Sequence, residues 1–463
     1  MTHRHRIRYP RAGAVLAFAL FLVAAPATPA GFQVMTQGAR AMGMGLAWTA
    51  VTDDPTAIFY NPAGLGWMSH YEGTLGGALL TRTSSEFQGA NPYPGTDTTE
   101  HYQNQSFLLP QAYGVVPLTK ELNFGLGSFA PYGLGLRWKN PEVFTGAAGT
   151  SPVSGTSFSG RFISQNAVVK TIDTNAVFSY RLLPELSIAA GAVYRFSKVQ
   201  LERNQAAINP FTNAFVDVTH IKLNSDLLDN HGWGWNAALM FKPVEMLSIG
   251  ASYRSKITIT YDATGKFTQR PTGNAAFDAA VNASLVAQGI LAHAGDTSGT
   301  HAATATLEFP ATANMGAAVI LLDKRLTVSF DADWTKWTSF KSLDITFPDL
   351  PTVSIHRQDL WHDSWAFRGG VEYKVTKNWA VRGGYYYDQT PQPVIDAGPI
   401  LADNNRDAFT LGFGYNTEKW GVDIGDVYLK VRKLDTTGGN TDHFFGTFKE
   451  TANIFAINFR LAL

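Results

Sequence analysis

The chain contains no cysteine, so it can form neither a disulfide framework nor a thiolate metal site. Charge is also scarce: Asp, Glu, Lys and Arg make up 16% of the residues, against about 25% in typical soluble domains. The 37 basic and 37 acidic residues cancel, which leaves no electrostatic case for binding nucleic acid. Beyond residue 30, no apolar run approaches the ~20 residues that a membrane-spanning helix needs.

The first 30 residues have the pattern of a secretory signal peptide. Arginines from Arg4 to Arg11 precede an apolar stretch that runs from residue 12 to residue 25. Small residues place the cleavage site after Ala27 or after Ala30. A membrane anchor is the alternative, but the apolar stretch is shorter than a spanning helix. We therefore expect residues 1–30 to direct secretion and to be removed.

Apolar and polar residues alternate with a period of two over long segments. In residues 365–375 the odd positions are aromatic, Val or Gly, and the even positions include Arg368, Glu372 and Lys374. An Arg or Lys that faces lipid at mid-membrane costs about 2–4 kcal/mol, so the charged face must be the lumen. Many segments also end in aromatic residues, as membrane girdles do. The pattern predicts an all-β protein, a transmembrane antiparallel β-barrel.

Fourteen alternating segments can be counted after residue 68. They lie near residues 69–82, 105–118, 121–131, 170–183, 185–202, 231–243, 246–262, 302–322, 325–346, 363–376, 378–388, 406–416, 419–432 and 443–463. Tight and long connections alternate, as periplasmic turns and extracellular loops do. We predict a closed barrel of about 14 strands over residues 69–463, with both termini in the periplasm. A slip in the alternation predicts a β-bulge near Gly425 and Asp426.

Residues 31–68 differ from the rest of the chain. Gly and Ala dominate them, and small residues allow close backbone packing. The strings DDP at 53–55 and NPAG at 61–64 predict turns. A compact segment without strand alternation is suited to a plug, or hatch, inside the barrel lumen.

One extracellular loop has helical periodicity. Residues 275–294 place Phe277, Val281 and Leu285 on one face, which predicts a short amphipathic helix. Two interpretations remain open: the apolar face packs the loop onto the barrel rim, or it receives a hydrophobic ligand at the cell surface.

Several motifs together resemble one family. They are GFQ at residue 31, DDPTAIFYNPAGL at 53–65, and WAFRGGVEYKVTKNWAVRGGYYYDQTPQPV at 365–394. These strings are similar to the FadL-type long-chain fatty acid transporters of Gram-negative outer membranes, a family that includes toluene and xylene uptake channels. Ala402 departs from the family pattern, which usually has Pro there, and Leu463 replaces the terminal aromatic residue common in outer-membrane proteins.

The resemblance implies a set of ligand-binding residues. Phe32, at the start of the mature chain, would reach the ligand pocket. Arg203 and Arg357 stand where basic residues of the family hold the fatty acid carboxylate, and an Arg can pair with a carboxylate through two hydrogen bonds. The alternative is that both arginines are ordinary exposed loop residues.

The resemblance also implies a gate. Asn61, Pro62 and Ala63 would form the anchored end of a movable hatch, whereas the first mature residues move. A lateral exit to the membrane is expected at a kink in the third strand, where Gly125 and Gly127 precede Pro131, because Gly marks bends and Pro lacks a ladder donor. A purely structural plug beside an ordinary glycine-rich strand is the alternative.

The leading functional hypothesis is uptake of long-chain fatty acids or other hydrophobic molecules by binding in an apolar pocket and hatch-gated lateral diffusion. Fatty acids and aromatic hydrocarbons both fit. A general aqueous porin is the alternative, followed by an outer-membrane lipid esterase. No His-x-x-x-His spacing, nucleophile elbow or phosphate loop is evident, so we expect no enzymatic activity, no cofactor and no metal. Expected partners are the hydrophobic ligand, outer-membrane lipid and lipopolysaccharide, with a monomeric barrel and no nucleic acid.

Overall fold

The strands form one antiparallel sheet that closes on itself, since β1 pairs with both β3 and β21. The computed structural model describes residues 31–139 and 158–463, so the predicted signal peptide lies outside the described residues. The strands are β1 Glu72–Gly89, β2 Thr99–Glu100, β3 Ser106–Pro117, β4 Leu122–Phe129, β5 Gly133–Arg137, β6 Asn166–Leu183, β7 Leu186–Asn209, β8 Ala214–Ser225, β9 His231–Val244, β10 Leu247–Arg254, β11 Ile257–Gln269, β12 Ser298–Phe309, β13 Thr312–Leu321, β14 Leu326–Thr335, β15 Ser342–Thr346, β16 Ile355–Gln358, β17 Ser364–Lys374, β18 Trp379–Asp388, β19 Arg406–Asn416, β20 Trp420–Asp435 and β21 Gly446–Ala462.

The helices are few and short. They are α1 Ala39–Gly43, α2 Ala57–Tyr60 and α3 Ala275–Ala287, with 3-10 turns at Pro62–Trp67, Ser159–Phe162, Trp337–Ser339, Pro351–Val353 and Val394–Asp396. In the described part of the chain, no helix is long and apolar enough to cross a membrane.

The barrel wall has fourteen strands, which confirms the predicted count. Their order around the wall is β1, β3, β4, β6, β7, β9, β10, β13, β14, β17, β18, β19, β20, β21 and back to β1. Short turns join these strands at one end, such as the turn between β6 and β7, and long loops join them at the other. An even number of strands places both ends of the wall on the short-turn side.

The burial pattern is the reverse of that in a soluble protein. Leu411 and Phe413 on the outer face of β19 are 64% and 56% exposed, whereas Arg382 on the neighbouring β18 is 5% exposed. Lipid favours an apolar outer band and leaves charged residues to the interior. The alternation read from the sequence therefore assigned the two faces correctly.

Long strands extend the wall beyond the membrane on the long-loop side. There β7 pairs with β8, β8 with β11, β11 with β12, β12 with β15 and β15 with β16. The sequence segments 246–262 and 302–322, predicted as single strands, are each divided at this level. Pro310 lies at the second division, where it cannot donate to the ladder.

The bulge predicted near Gly425 and Asp426 is wrong. Strand β20 keeps its register there with both neighbours, and the irregularity lies between Val431 and Leu434. The alternation does not slip, because Asp426 takes an outward position and accepts a hydrogen bond from Asn453. A polar residue on the outer face was mistaken for a change of face.

Helix α3 forms in the extracellular loop where periodicity predicted it. Asn274 caps its first turn by accepting a hydrogen bond of 3.0 Å from the Phe277 backbone N–H. Phe277, Val281 and Leu285 are buried against the loops. This burial favours the packing interpretation of the apolar face.

Residues 31–68, which we call the N-terminal segment, lie inside the barrel against its inward-facing side chains. The backbone N–H groups of Trp48 and Thr49 donate to one Asp331 carboxylate oxygen at 2.8 and 2.7 Å, and the Ser329 hydroxyl donates to the Ala47 carbonyl at 2.8 Å. These bonds explain why β14 carries polar residues on its inner face. These side chains make the hydrogen bonds that water would otherwise make with the backbone of the segment.

Glycines and ion pairs fit the N-terminal segment to the wall. A Cβ atom at Gly43 would lie 2.8 Å from the Gly412 Cα atom of β19, so any larger residue would separate the two backbones. Nearby, Arg40 and Arg382 both pair with the Glu372 carboxylate, at 2.9 and 2.7 Å. These ion pairs stabilise the charges in the lumen, because an unpaired buried ion would destabilise the folded barrel.

Candidate functional site

The first residues of the N-terminal segment reach the long-loop end of the barrel. Phe32 lies among five aromatic rings, with centroid distances from 4.8 Å to Trp337 up to 6.0 Å; the others are Tyr132, Phe309, Phe340 and Trp361. The Phe32 side chain is buried. The other end of the segment lies near the short turns, where Trp67 Nε1 donates to the Pro184 carbonyl at 3.3 Å.

The third strand of the wall is interrupted at Ala130–Tyr132, between β4 and β5. Both parts pair with β6, but the described ladder between β3 and β4 stops at Ala112 and Ser128. Proline at position 131 contributes to the interruption, since it has no N–H for the ladder. The wall therefore has a gap between residues 106–111 of β3 and residues 130–136.

The start of the N-terminal segment pairs with the edge of this gap. The Val34 N–H donates to the Pro131 carbonyl at 2.7 Å, and the Gly133 N–H donates to the Phe32 carbonyl at 2.8 Å. Gln33 and Tyr132 form an antiparallel bridge between these bonds. The segment thus pairs with the edge of the third strand that β3 leaves unpaired.

Side chains close the remaining space on both sides of the gap. Gln111 of β3 donates to the Thr36 carbonyl at 2.7 Å, and Gln37 donates to the Ala130 carbonyl at 2.7 Å. The Tyr113 hydroxyl donates to the Gln37 carbonyl at 2.8 Å. Each of these contacts is a hydrogen bond between a side chain and a backbone group.

A cavity lies directly beside Phe32, between the wall and the extracellular loops. Its empty volume, which includes space open to solvent, is about 790 Å³. Most of its lining is apolar: Phe32, Leu134, Ala167, Val168, Val169, Val199, Leu201, Leu223, Ala305, Leu307, Phe340, Leu343, Ile345, Trp361, Ile400 and Leu401. Such a surface suits a hydrocarbon.

Charged side chains gather at one end of the cavity around Arg357. Its Nη1 atom donates to both Asp442 carboxylate oxygens at 3.0 and 3.1 Å, and its Nη2 atom donates to the Asp396 carbonyl at 2.9 Å. Its Nε atom lies 3.6 Å from Asp359 Oδ1. Burial raises the pKa of the Asp359 carboxyl to about 6, even though Arg357 opposes the shift. Burial also raises the pKa values of Asp396 and Asp442.

Two of the three sequence-predicted ligand residues meet at this cavity. Phe32 and Arg357 both line it, although they are far apart in the chain. Arg203 lies on β7 two residues beyond Leu201, outside the lining. Its Nε atom is buried with no hydrogen-bond partner among the described residues. Their roles in holding a carboxylate stay predictions.

The predicted anchor residues lie at the start of the 3-10 turn Pro62–Trp67. Asn61 Oδ1 accepts from the Ala63 N–H at 3.1 Å, while its Nδ2 donates to the carbonyls of Thr49 and Leu239 at 2.8 and 3.1 Å. Asn61 therefore joins the N-terminal segment to strand β9. Pro62 begins the turn, where its fixed φ is favourable.

Gly125 and Gly127 lie in the regular part of β4, where they pair with Val115 and Tyr113 of β3. Added Cβ atoms there would lie 2.8 Å from Leu65 and Tyr113 respectively, so the glycines make room for packing. The interruption of the strand lies beyond them, at Ala130–Tyr132. Their part in a lateral exit stays a prediction.

Sequence reasoning missed the carboxylates around Arg357. Asp359, Asp396 and Asp442 belong to three separate loops, and no spacing connects them. It also missed Asp403, whose Oδ2 accepts from the Gly31 N–H at 2.8 Å.

Comparison with known proteins agrees with this architecture. The family model for outer membrane protein transport proteins (OMPP1/FadL/TodX) matches residues 20–463. The long-chain fatty acid transport protein of Escherichia coli O6:H1 is 22% identical over 474 residues, which cover 96% of this chain and 97% of that protein. These matches confirm the resemblance seen in the motifs.

Solved structures share the fold. A FadL homologue from Pseudomonas aeruginosa superposes with a TM-score of 0.73 at 21% identity, covering 93% of this chain and 99% of that one. The P. putida toluene transporter TodX superposes with a TM-score of 0.70 at 16% identity, covering 92% and 98%. The predicted all-β barrel is thereby confirmed.

Proposed function

The chain belongs to the outer membrane protein transport family (OMPP1/FadL/TodX), and we propose that it carries hydrophobic molecules through the outer membrane by way of the cavity beside Phe32. Relatives include a long-chain fatty acid transport protein and a toluene transporter, so the ligand class is hydrophobic. Transport of this kind needs no catalytic step. Residues 69–463 act as the barrel and the N-terminal segment acts as its hatch.

The observation that carries the proposal is the position of Phe32, which forms part of the cavity lining and is also a residue of the segment that closes the wall. A ligand that fills the cavity must contact the closing element itself. Burial of an alkyl chain gains about 0.8 kcal/mol per methylene, whereas a partly hydrated ion pair adds about 0–1 kcal/mol. Affinity therefore comes from the apolar lining, and the polar end around Arg357 orients the ligand.

We place the exit at the gap beside Ala130–Tyr132 rather than along the barrel axis. The N-terminal segment blocks the axis through many buried contacts, including those of Trp48 and Asp331. The gap, by contrast, is closed by a few bonds from residues 32–37. A ligand shifts these residues only if it binds the displaced state better than the closed one. It then leaves sideways into lipid without crossing water.

A reversible cross-link tests this gate, and the absence of natural cysteine makes it specific. Gln33 and Tyr132 are bridge partners, so the double variant Gln33→Cys/Tyr132→Cys should form a disulfide that holds the segment against the gap. Gln88→Cys/Thr447→Cys is the matched control, since that pair joins β1 to β21 away from the gap.

Uptake of a labelled hydrophobic substrate would be measured in cells before and after reduction. The Gln33–Tyr132 cross-link should abolish uptake, and reductant should restore it, while the control cross-link changes little. Full uptake through the oxidised Gln33–Tyr132 variant would show that residues 32–37 do not gate transport.

A further inference from the structure

The polar end of the cavity holds more negative than positive charge. Asp359 and Asp396 line the cavity together with Arg357, and Asp442 lies beside the guanidinium. One positive group and three carboxylates give a formal charge of −2 when all are ionised. Such a site does not by itself attract an anionic head group.

The guanidinium of Arg357 already has hydrogen-bond partners within the protein. The two Nη atoms of Arg357 already donate to both oxygens of Asp442 and to the Asp396 carbonyl. The two-bond geometry that makes Arg a good partner for a carboxylate is therefore used within the protein. A ligand carboxylate would have to displace Asp442, which is itself partly buried.

The accessible hydrogen-bonding capacity at this end is that of an acceptor, because the Trp361 Nε1–H, an unpartnered donor among the lining residues, is itself buried. Among the described residues, the one contact of the Asp359 carboxylate is Arg357 Nε at 3.6 Å, although an ionised carboxylate can accept several bonds. Both N–H groups of the Gln392 amide are used, since its Nε2 donates to the carbonyls of Asp396 and Leu401, and its Oε1 accepts from the Asp403 N–H. A ligand that supplies a donor meets an acceptor here.

We propose that this cavity selects uncharged hydrophobic molecules that carry a hydroxyl donor, such as alcohols and phenols, over the matching carboxylates. The inference rests on the proposed function, because only a ligand in this cavity meets Asp359. The hydroxyl donates to the Asp359 carboxylate and the hydrocarbon lies along the apolar lining. A carboxylate in the same place would add a fourth negative charge in a poorly screened site, where repulsion weakens binding by about tenfold or more.

Binding of decan-1-ol, decanoate and decane to the detergent-solubilised full-length protein at pH 7.5 would test the selection. Each ligand displaces the same fluorescent hydrophobic probe, with affinities corrected for partition into micelles. Decan-1-ol should bind at least tenfold more tightly than decanoate and more tightly than decane. Decanoate that binds as tightly as decan-1-ol, whether through Arg357 or through Arg203, would overturn the inference.

Single variants test whether Asp359 causes the preference for decan-1-ol over decanoate. Asp359→Asn should raise decanoate affinity about tenfold and change decan-1-ol affinity by less than about threefold, since one negative charge is lost while an acceptor oxygen remains. Asp349→Asn is the matched control, because Asp349 is an exposed residue of the loop between β15 and β16. Unchanged decanoate affinity in Asp359→Asn would contradict the inference.

A separate variant separates this inference from the proposed function. Val199→Trp places a large side chain in the cavity and should weaken binding of all three ligands. If it weakens none of them, the cavity is not the binding site and both proposals fail. If it weakens all three while decanoate binds wild type best, uptake through the cavity stands and the selection against carboxylates is wrong.

Discussion

The backbone N–H of Gly31 donates a buried hydrogen bond of 2.8 Å to Oδ2 of Asp403, a residue of the loop that precedes β19. The Thr390 hydroxyl donates to the same oxygen at 2.6 Å, and Arg406 pairs with the other oxygen. One loop carboxylate therefore holds the start of the N-terminal segment at the cavity. The bond fixes the residue next to Phe32 and so adds to the ring contacts and the Gly133 N–H bond that hold Phe32 at the cavity.

Asp403→Asn should loosen the start of the N-terminal segment. A hydrogen bond to a charged group contributes about 1.5–3 kcal/mol, so hydrogen exchange of residues 32–37 should accelerate roughly 10- to 100-fold. Exchange measured by mass spectrometry on the detergent-solubilised protein would show the change. Asp349→Asn provides the control, and equal exchange in the two variants would mean that Asp403 does not anchor the segment.

Gly43→Val should push the N-terminal segment away from the wall. The new Cβ would lie 2.8 Å from the Gly412 Cα atom, a contact with backbone that cannot rotate away. We expect a higher single-channel conductance for small ions in planar bilayers, because the displaced segment no longer fills the lumen. Gly114→Val is the control, since no atom lies within 4 Å of a Cβ at Gly114. Wild-type conductance in Gly43→Val would refute the close fit.

Phe32→Ala should weaken both closure and ligand binding. Removing a buried Phe typically costs about 3–5 kcal/mol, and here it leaves five aromatic rings without their central partner. Decan-1-ol affinity should fall by at least tenfold, and the melting temperature should fall as well. Phe211→Ala makes the same truncation at a side chain that is 63% exposed and should change neither quantity.

Binding of a permanently charged anion should improve as the pH falls. The Asp359 carboxyl has its pKa raised to about 6 by burial, so it is mostly ionised at pH 7.5 and mostly protonated at pH 5.5. Asp396 and Asp442, whose pKa values burial also raises, lose negative charge in the same direction, whereas an arginine such as Arg357 is always positive. Each step makes the site less negative. The affinity of decyl sulfate should therefore rise several-fold over this range.

Decyl sulfate suits this measurement because its own charge does not change between pH 5.5 and pH 7.5. The rise should be smaller in Asp359→Asn, and the affinity of decan-1-ol should change little in either protein. A flat or falling decyl sulfate affinity in wild type would show that the carboxylates do not control the charge of the site.

Much of the barrel could be predicted because lipid imposes a simple rule on every strand. In residues 365–375, alternation alone assigned Arg368 and Glu372 to the lumen, where both are buried. The same rule failed at Asp426, since a single polar residue can face outward when Asn453 satisfies it. One outward-facing polar residue does not change the predicted number of strands, but it can place a predicted bulge at the wrong position.

The candidate site was harder to predict because it is built from residues distant in sequence. Pro131 signalled a weak point in the third strand, but nothing local shows that Gln33 pairs with Tyr132 across it. Arg357 was identified through a family resemblance alone. Its partner Asp442 lies in a different loop, so no local sequence pattern predicts the ion pair. Because Asp442 already occupies Arg357, we propose a ligand with a hydroxyl group in place of a carboxylate.

The N-terminal segment also constrains how the protein assembles. Although it is synthesised before every strand, its partners are distributed along the whole chain: Asp331 of β14 accepts from Trp48, and Asn458 of β21 accepts from Ala39. The segment cannot be fully seated until the final strand arrives. Until β21 is synthesised, an unfinished barrel therefore lacks both the pairing of β21 with β1 and part of the contacts that hold the segment in the lumen.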